Sequence, residues 1–159
     1  MTVAASSPEI REDALLGGRV RLHQPVRGYR AGMDAALLAA AVAAGPGERV
    51  IEAGCGPGAV LTQVAARCPG AALFGLEREP EIAALARRNI EANGLDDRAD
   101  VRLGDVAAGF RALDLPPFDW AISNPPFFDD PGRLRPPAPE RRAAWMADDG
   151  LAAWTGFLL

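Results

Sequence analysis

From residue 49 onward, short apolar strands alternate with amphipathic helices, and this alternation constrains the fold more than any other feature of the sequence. The predicted strands are RVIEAG, AALFGLE, ADVRLGD and FDWAISN, and the predicted helices between them are GAVLTQVAARC and PEIAALARRNIEANG. Parallel neighbours in a sheet need crossover connections, which helices of this length provide. The order therefore predicts an α/β fold with a mainly parallel sheet and helices on both faces.

Pattern and composition divide the chain into three parts. Residues 1–11 are polar and acidic and are predicted to form a disordered tail. Residues 12–47 contain Gly17-Gly18 between two apolar-alternating runs, which indicates a hairpin, and then an apolar helix. Residues 48–159 are predicted to form the main domain. With 159 residues in total, the chain is long enough for one sizeable core.

The last part of the chain contains a long connection and a final helix. Residues 128–150 are rich in proline and too long for an ordinary loop, which is typical of lids, binding loops or disordered segments. The following segment places Leu151, Trp154 and Leu158 on one helical face and ends without a capping residue. We therefore expect the domain to be incomplete at its C-terminus.

Net charge and basic residues restrict the classes of partner. The net charge is -4 and the pI is near 5.0, which argues against a generally basic nucleic-acid-binding surface. All 17 basic residues are arginine, which indicates a compositional bias against lysine. The presence of arginine is therefore weak evidence for recognition of phosphate groups.

Cysteine, histidine and hydropathy restrict the chemistry and the compartment. Two cysteines, Cys55 and Cys68, and the single His23 are too few for a zinc site of usual spacing and imply no disulfide framework. We expect His23 to be an exposed hairpin residue. The longest apolar run, at 35–44, is half of the roughly 20 residues that a membrane span needs. A cytoplasmic protein without a metal or a membrane segment is predicted.

A glycine-rich turn follows the first strand of the main domain. The segment IEAGCGPGAV places Glu52, Gly54, Cys55, Gly56 and Gly58 between that strand and its helix. Glycines permit a tight turn and a close approach of ligand to backbone, and the helix N-terminus offers amide donors. All five residues are predicted to bind a cofactor, with Cys55 as a small filler beside it. The alternative is a tight turn without a ligand.

Two acidic residues follow the next two strands. Glu77 ends the second strand, 77 − 58 = 19 residues beyond the last glycine of the turn, where an acidic side chain typically accepts hydrogen bonds from ribose hydroxyls. Asp105 follows the third strand and is predicted to face the same crevice and to accept a bond from an adenine amine. The alternative for Glu77 is a solvated carboxylate beside Arg78. Together these residues predict a nucleoside-containing cofactor, either a dinucleotide or S-adenosylmethionine.

The fourth strand ends in the motif NPPF at 124–127. Together with EAGCGPG, Glu77 and the GD pair at 104–105, this motif resembles class I S-adenosylmethionine-dependent methyltransferases that methylate amines. The resemblance implies a Rossmann-like fold and S-adenosylmethionine as the cofactor. It makes residues 48–159 a partial S-adenosylmethionine-binding methyltransferase domain.

The chemistry of amine methylation explains the residue types in this motif. The lone pair of an exocyclic adenine amine is delocalised into the ring, so the site must hold the nitrogen and draw its N–H bonds toward acceptors. Asn124 offers its side-chain oxygen and is also predicted to contact the cofactor, and Pro125 offers its carbonyl. Pro125 and Pro126 fix φ, and Phe127 provides a face for base stacking. The alternative is a motif that only ends a strand.

Two flanking segments narrow the resemblance. GYRAGMDAALLAA and GLAAWTGFLL are similar to segments of bacterial tRNA (adenine-N6) methyltransferases that act beside the anticodon of a valine tRNA. The resemblance implies a monomer that acts on tRNA and places Tyr29, Arg30 and Asp34 in the cofactor or base pocket. Loop anchoring and helix capping, with Asp34 as the N-cap, are the alternative roles. The arginines of the long connection either meet RNA phosphates or are solvated: Arg133, Arg135, Arg141 and Arg142.

Other functions remain open at this point. The same motif serves methylation of guanine N2 in ribosomal RNA, of adenine in DNA, or of a protein glutamine. An NAD-dependent oxidoreductase would explain the glycine turn and Glu77 but would leave NPPF without a role. A noncatalytic RNA-binding module would require a basic face, which the acidic composition does not favour.

Overall fold

The computed structural model describes residues 9–27, 30–125 and 150–159. Their strands and helices, in chain order, are β1 (Ile10–Leu15), β2 (Val20–Pro25), α1 (Met33–Ala41), β3 (Arg49–Ala53), α2 (Ala59–Arg67), β4 (Ala72–Glu77), α3 (Pro80–Ala92), β5 (Ala99–Leu103), β6 (Trp120–Ser123) and α4 (Gly150–Leu158). Short 3-10 segments occupy Leu16–Gly18, Val106–Ala108 and Phe110–Leu113. Among the helices of these three ranges, none is long and apolar enough to cross a membrane.

Four strands form a parallel sheet in the order β5-β4-β3-β6. Because β3 pairs with both β4 and β6, the glycine turn after β3 lies between the ends of its two neighbours. Helices flank this sheet, which confirms the predicted α/β fold. β1 and β2 form a separate antiparallel pair in which Leu15 lies opposite Val20. β1 begins at Ile10, so residues 10 and 11 belong to the hairpin and not to the predicted tail.

Alternate residues of the central strands face two different cores. Val50, Leu73 and Val101 face a larger core that includes side chains of α1, α2 and α3. Ile51 and Leu76 face a smaller core closed by α4 and the 3-10 segments after β5. Both faces of the strands are therefore covered, which explains their nearly continuous apolar sequences.

The buried residue of α4 differs from the prediction. Leu151 is 42% exposed, whereas Phe157 is only 4% exposed and packs edge-on against Phe110 with ring centroids 5.8 Å apart. Trp154 and Leu158 are partly buried against the same core. The predicted face is therefore right for Trp154 and Leu158 but wrong for Leu151, because contacts with residues more than 40 positions earlier bury Phe157 instead.

The hairpin is tied to the main domain through a buried asparagine. Asn89 of α3 is 0% exposed. Its Oδ1 accepts hydrogen bonds from the backbone N–H of His23 (2.7 Å) and lies 2.9 Å from His23 Nδ1, while its Nδ2 donates to the carbonyls of His23 and Pro57, each at 2.8 Å. His23 is therefore buried and not exposed as predicted. One amide thus connects the hairpin, α3 and the glycine turn.

Helix α1 is fixed against α2. Ala35 and Ala39 are buried between them, and Arg67 of α2 donates to the carbonyls of Ala39 (2.5 Å) and Val42 (3.0 Å) at the end of α1. Carbonyl groups at a helix C-terminus lack partners within the helix, so this arginine caps it. The N-cap of α1 is Gly32, and Asp34 is not the N-cap that the sequence suggested.

Candidate active site

The glycine turn is held in a left-handed conformation. Gly54, Gly56 and Gly58 have φ values of +67°, +55° and +80°, which residues with a Cβ rarely adopt. The backbone N–H of Cys55 donates to the carbonyl of Leu76 at 3.0 Å, which links the start of the turn to the end of β4. The turn leads directly into α2.

The ring of Trp154 covers the first glycine of the turn. A Cβ added to Gly54 would lie 2.4 Å from Cη2 of Trp154, well inside van der Waals contact. Gly54 is therefore needed both for its φ and for the approach of α4. This contact was not predicted, because a helix far along the chain supplies the ring.

Glu77 is held by two backbone amides at the carboxyl end of β4. Its Oε2 accepts a hydrogen bond from Gly56 N–H and its Oε1 accepts one from Glu79 N–H, each at 2.9 Å. A carboxylate has about four acceptor positions, so these two bonds orient it and leave capacity for ribose hydroxyls. The solvated carboxylate considered as an alternative is wrong, because Glu77 is buried.

Glu52 lies beneath the turn and is 2% exposed. Burial raises the pKa of its carboxyl well above 4.5, while a hydrogen bond from the backbone of Leu61 lowers it and the nearby Glu77 raises it further. Its Oε2 has no hydrogen-bond partner among the described residues. This buried oxygen is therefore available near the turn as a hydrogen-bond acceptor, or as a donor when the carboxyl is protonated.

The side chain of Cys55 faces the sheet and not the turn's open side. A Cβ added to Gly75 would lie 2.5 Å from its Sγ, and the residue belongs to the larger core. Burial raises the pKa of the thiol well above its usual value, so the thiolate is disfavoured. A ligand at the turn would therefore meet the backbone of Cys55, while the thiol only fills space in the core.

Asp105 begins the 3-10 segment after β5. Its Oδ1 accepts from Ala107 N–H at 2.9 Å, and its Oδ2 lies 4.0 Å from Nη1 of Arg78. The side chain is 39% exposed. Since β5 neighbours β4, Asp105 and Glu77 follow adjacent strand ends, as the sequence predicted.

Asn124 follows β6 and contacts α1. Its Nδ2 donates to Oδ2 of Asp34 at 2.6 Å. Ser123 Oγ donates to the carbonyl of Ala53 at 3.0 Å, which ties the end of β6 to the end of β3. Both Asn124 and Pro125 are half-buried. The structure thus brings Asp34 and Asn124 together beside the glycine turn.

Arg30 makes a different contact from the one predicted by the resemblance. Its Nη2 donates to Oδ2 of Asp13 in β1 at 3.0 Å, and the same oxygen accepts from Gln24 Nε2 at 2.6 Å. Arg30 therefore anchors the segment before α1 to the hairpin. Several predicted positions lie outside the described residues: Tyr29, Pro126, Phe127 and the arginines at 133, 135, 141 and 142.

These groups fit a nucleoside-containing cofactor. The turn presents backbone without side chains at Gly56, where nothing lies within 4 Å of an added Cβ, and Glu77 is preoriented at its edge. Across the three described ranges, no group of three or more histidine, cysteine or acidic side chains is placed to hold a metal ion. Asn89, which supports the turn through Pro57, was not predicted, since a single asparagine in a helix carries no sequence signal.

Two solved structures share the fold of this chain. P. horikoshii TYW2 in complex with MeSAdo superposes with a TM-score of 0.55 at 19% identity, over 70% of this chain and 40% of that one. TrmN from Thermus thermophilus superposes with a TM-score of 0.51 at 24% identity, over 59% and 28%. At these identities the likeness establishes the Rossmann-like fold alone, as the sequence predicted.

The family follows from the sequence match. The model of the methyltransferase small domain matches residues 30–134, so the chain belongs to that family. This confirms the predicted class, an S-adenosylmethionine-dependent methyltransferase with S-adenosylmethionine as its cofactor. The matched range includes the glycine turn, Glu77, Asp105 and NPPF.

Curated relatives act on more than one kind of substrate. The chain is similar to a release factor glutamine methyltransferase of Rhodospirillum rubrum, with 39% identity over 55% of this chain and 26% of the relative. It is also similar to a tRNA1(Val) (adenine(37)-N6)-methyltransferase of Yersinia enterocolitica, with 33% identity over 62% and 39%. A third relative is a Protein-L-isoaspartate O-methyltransferase of Hyperthermus butylicus, with 37% identity over 56% of this chain and 39% of the relative. The matched part of the chain spans less than half the length of these relatives.

Proposed function

We propose that this protein transfers a methyl group from S-adenosylmethionine to the exocyclic N6 amine of an adenine in tRNA, near the anticodon. The observation that carries the proposal is the position of Asn124. It follows β6, the strand beside the glycine turn, and its amide nitrogen faces Asp34. An acceptor oxygen is thereby held where the cofactor and the target amine would meet.

The cofactor half of the site would hold S-adenosylmethionine through the glycine turn, Glu77 and Asp105. Glu77 would accept the ribose hydroxyls, and Asp105 the adenine amine. The cofactor supplies an electrophilic methyl group on a sulfonium centre. Glu52, in the strand that leads into the turn, has one oxygen without a partner among the described residues and would contribute that oxygen to the cofactor site.

The amine half would position the nucleophile. The Asn124 oxygen and the Pro125 carbonyl would accept the two N–H bonds of the target amine and so fix the direction of its nitrogen. Phe127 would stack on the base, which must leave the RNA helix to become reachable. Positioning of this kind supplies a large part of a barrier reduction without a strong base.

A tRNA adenine is the substrate that the relatives favour. The alignment with the tRNA1(Val) methyltransferase covers 62% of the chain, compared with 55% for the glutamine methyltransferase. Glutamine is the second candidate, because that relative has the higher identity and a glutamine amide is also a planar nitrogen. A tRNA substrate would place the activity in the cytoplasm, and we propose a monomer that needs no metal.

The test is methylation with isotope-labelled S-adenosylmethionine, offered separately with unmodified tRNA, ribosomal RNA, DNA and a glutamine-containing release-factor peptide. Mass spectrometry of the digested products should show N6-methyladenosine from tRNA, and the yield should be unchanged by EDTA. Label in the peptide alone would establish the glutamine alternative. Calorimetry should show binding of S-adenosylhomocysteine and not NAD. Tighter binding of NAD would overturn the methyltransferase proposal.

A further inference from the structure

We propose that Asp34 is a positioning residue for methyl transfer: its carboxylate fixes the Asn124 amide so that the oxygen of that amide, and not the nitrogen, faces the target amine. The inference rests on the proposed function, in which Asn124 is an acceptor for the amine. It extends the active site to α1, which precedes the parallel sheet in the chain.

The chemistry of the pair determines the orientation. An ionised carboxylate only accepts hydrogen bonds, so the end of the Asn124 amide that meets Asp34 must be the NH₂ group. The observed contact joins Asn124 Nδ2 and Asp34 Oδ2 at 2.6 Å. The amide oxygen is bonded to the same carbon on the opposite side, and it therefore points away from Asp34. Rotating the amide by 180° would place two acceptor oxygens against each other.

The backbone that carries Asp34 is rigidly placed. Asp34 lies in the first turn of α1, where a negative charge interacts favourably with the helix dipole. The next residue, Ala35, is buried, and the far end of α1 is capped by Arg67. A side chain on such a helix can set the orientation of a group that follows a strand 90 positions later.

Gly32 leaves room for the carboxylate. A Cβ added there would lie 3.0 Å from Oδ1 of Asp34, closer than nearly all real contacts of this kind. The φ of Gly32 is -117°, which any residue adopts, so the backbone conformation does not require glycine. The space beside Asp34 gives a physical reason for a glycine at this N-cap.

The charge of Asp34 also strengthens the acceptor. Hydrogen bonds to ionised groups are roughly twice as strong as neutral ones, and bonds in series polarise one another. Donation from Nδ2 to a carboxylate increases the electron density on the Asn124 oxygen. That oxygen then withdraws the amine N–H more strongly as the nitrogen attacks. Orientation and polarisation both predict an effect on turnover and not on cofactor binding.

The first test compares Asp34→Ala with Asp34→Asn in the 159-residue chain. Losing a hydrogen bond to a charged group should lower kcat by roughly 10- to 100-fold in Asp34→Ala. Asp34→Asn keeps an acceptor oxygen but can also turn its own NH₂ toward Asn124, so its kcat should lie between those of Asp34→Ala and the unmodified chain. The KM for tRNA and the Kd for S-adenosylhomocysteine should be unchanged. Asp96, which is exposed after α3, provides the matched control as Asp96→Ala.

Exchanging the two residues sharpens the test. Asn124→Asp alone would place two carboxylates together and should lose most activity, whereas Asp34→Asn combined with Asn124→Asp restores a donor and an acceptor. The double variant should recover at least about 10-fold over Asn124→Asp. No recovery in the double variant, or an Asp34→Ala variant whose kcat equals that of the unmodified chain, would overturn the inference.

A readout without catalysis separates this inference from the proposed function. The side-chain NH₂ signals of Asn124 in a 1H–15N spectrum should shift and exchange faster with water in Asp34→Ala, but not in Asp96→Ala. Unchanged signals would overturn the positioning role. If the unmodified chain methylates no amine, the proposed function fails whatever the spectrum shows. If it methylates tRNA and Asp34→Ala does so at the same rate, only the positioning role fails.

Discussion

The two halves of the site are held in different ways. On the cofactor side, Glu77 is fixed by two backbone amides, that of Glu79 two residues later and that of Gly56 in the turn after the neighbouring strand. On the amine side, Asn124 is fixed by Asp34, a side chain on a helix outside the sheet. The cofactor half therefore depends on backbone donors, whereas the amine half includes a contact between two side chains 90 positions apart.

This difference predicts that substitutions in the two halves affect different measurements. A change in the cofactor half should weaken binding of S-adenosylhomocysteine and leave turnover at saturating cofactor nearly intact. A change in the amine half should do the opposite.

Asn124→Ala should have the largest effect. By analogy with the loss of one donor that stabilises a transition state, turnover should fall by about 10²- to 10³-fold. Cofactor affinity should stay within about 2-fold, because Glu77 and the glycine turn are held independently of Asn124. Single-turnover methylation of tRNA and calorimetry measure the two quantities. Equal losses in both would show that the halves are not separate.

Glu77→Ala should reverse that pattern. The substitution removes the acceptor for the ribose and also releases the amide of Gly56, so affinity for S-adenosylhomocysteine should fall by roughly 10- to 100-fold. Glu91→Ala, on the exposed side of α3, provides the control for loss of a carboxylate. An unchanged affinity in Glu77→Ala would remove this residue from the cofactor site.

The same difference explains what could be predicted from the sequence. The strands, the glycine turn and Glu77 follow from local periodicity and spacing, because each strand–turn–helix unit is contiguous in the chain. The burial of His23 was missed because it depends on Asn89, 66 positions later. The partner of Asn124 was missed for the same reason, although Asp34 was considered for the pocket. Contacts across such distances have no signature in a single sequence.

Glu52→Gln should change how stability depends on pH. Burial raises the pKa of Glu52 in the folded state above 4.5, so the folded state holds a proton that the unfolded state releases. The stability of the unmodified chain should therefore decrease from about pH 4.5 upward, until the folded-state pKa is passed. Glutamine cannot ionise, and the variant should lack this decrease. Without cofactor, the difference between the two chains should therefore shift in favour of the variant as the pH rises from 4 to 8.

Urea unfolding of both chains at pH 4, 6 and 8 measures this difference. Contributions from other groups, such as Asp13, whose pKa is lowered by its hydrogen bond with Gln24, are the same in both chains and cancel. A difference that stays constant with pH would show that folding does not shift the pKa of Glu52.

The smallest effect is expected for Gly32, which tests how closely the amine half must be placed. A Cβ would lie 3.0 Å from Asp34 Oδ1, so the carboxylate must move by a few tenths of an ångström. A misplacement of 1 Å costs about 10²-fold in rate, and a few tenths should therefore cost about 3-fold. Gly32→Ala also loses a favoured N-cap residue, whereas Gly32→Ser supplies one. Both variants should turn over about 3-fold more slowly with cofactor affinity unchanged, but only Gly32→Ala should be less stable to urea. The contrary outcome is turnover that follows stability, with Gly32→Ser matching the unmodified chain and Gly32→Ala alone slower. That outcome would assign the effect to capping of α1 and would show that the space beside Asp34 has no part in catalysis.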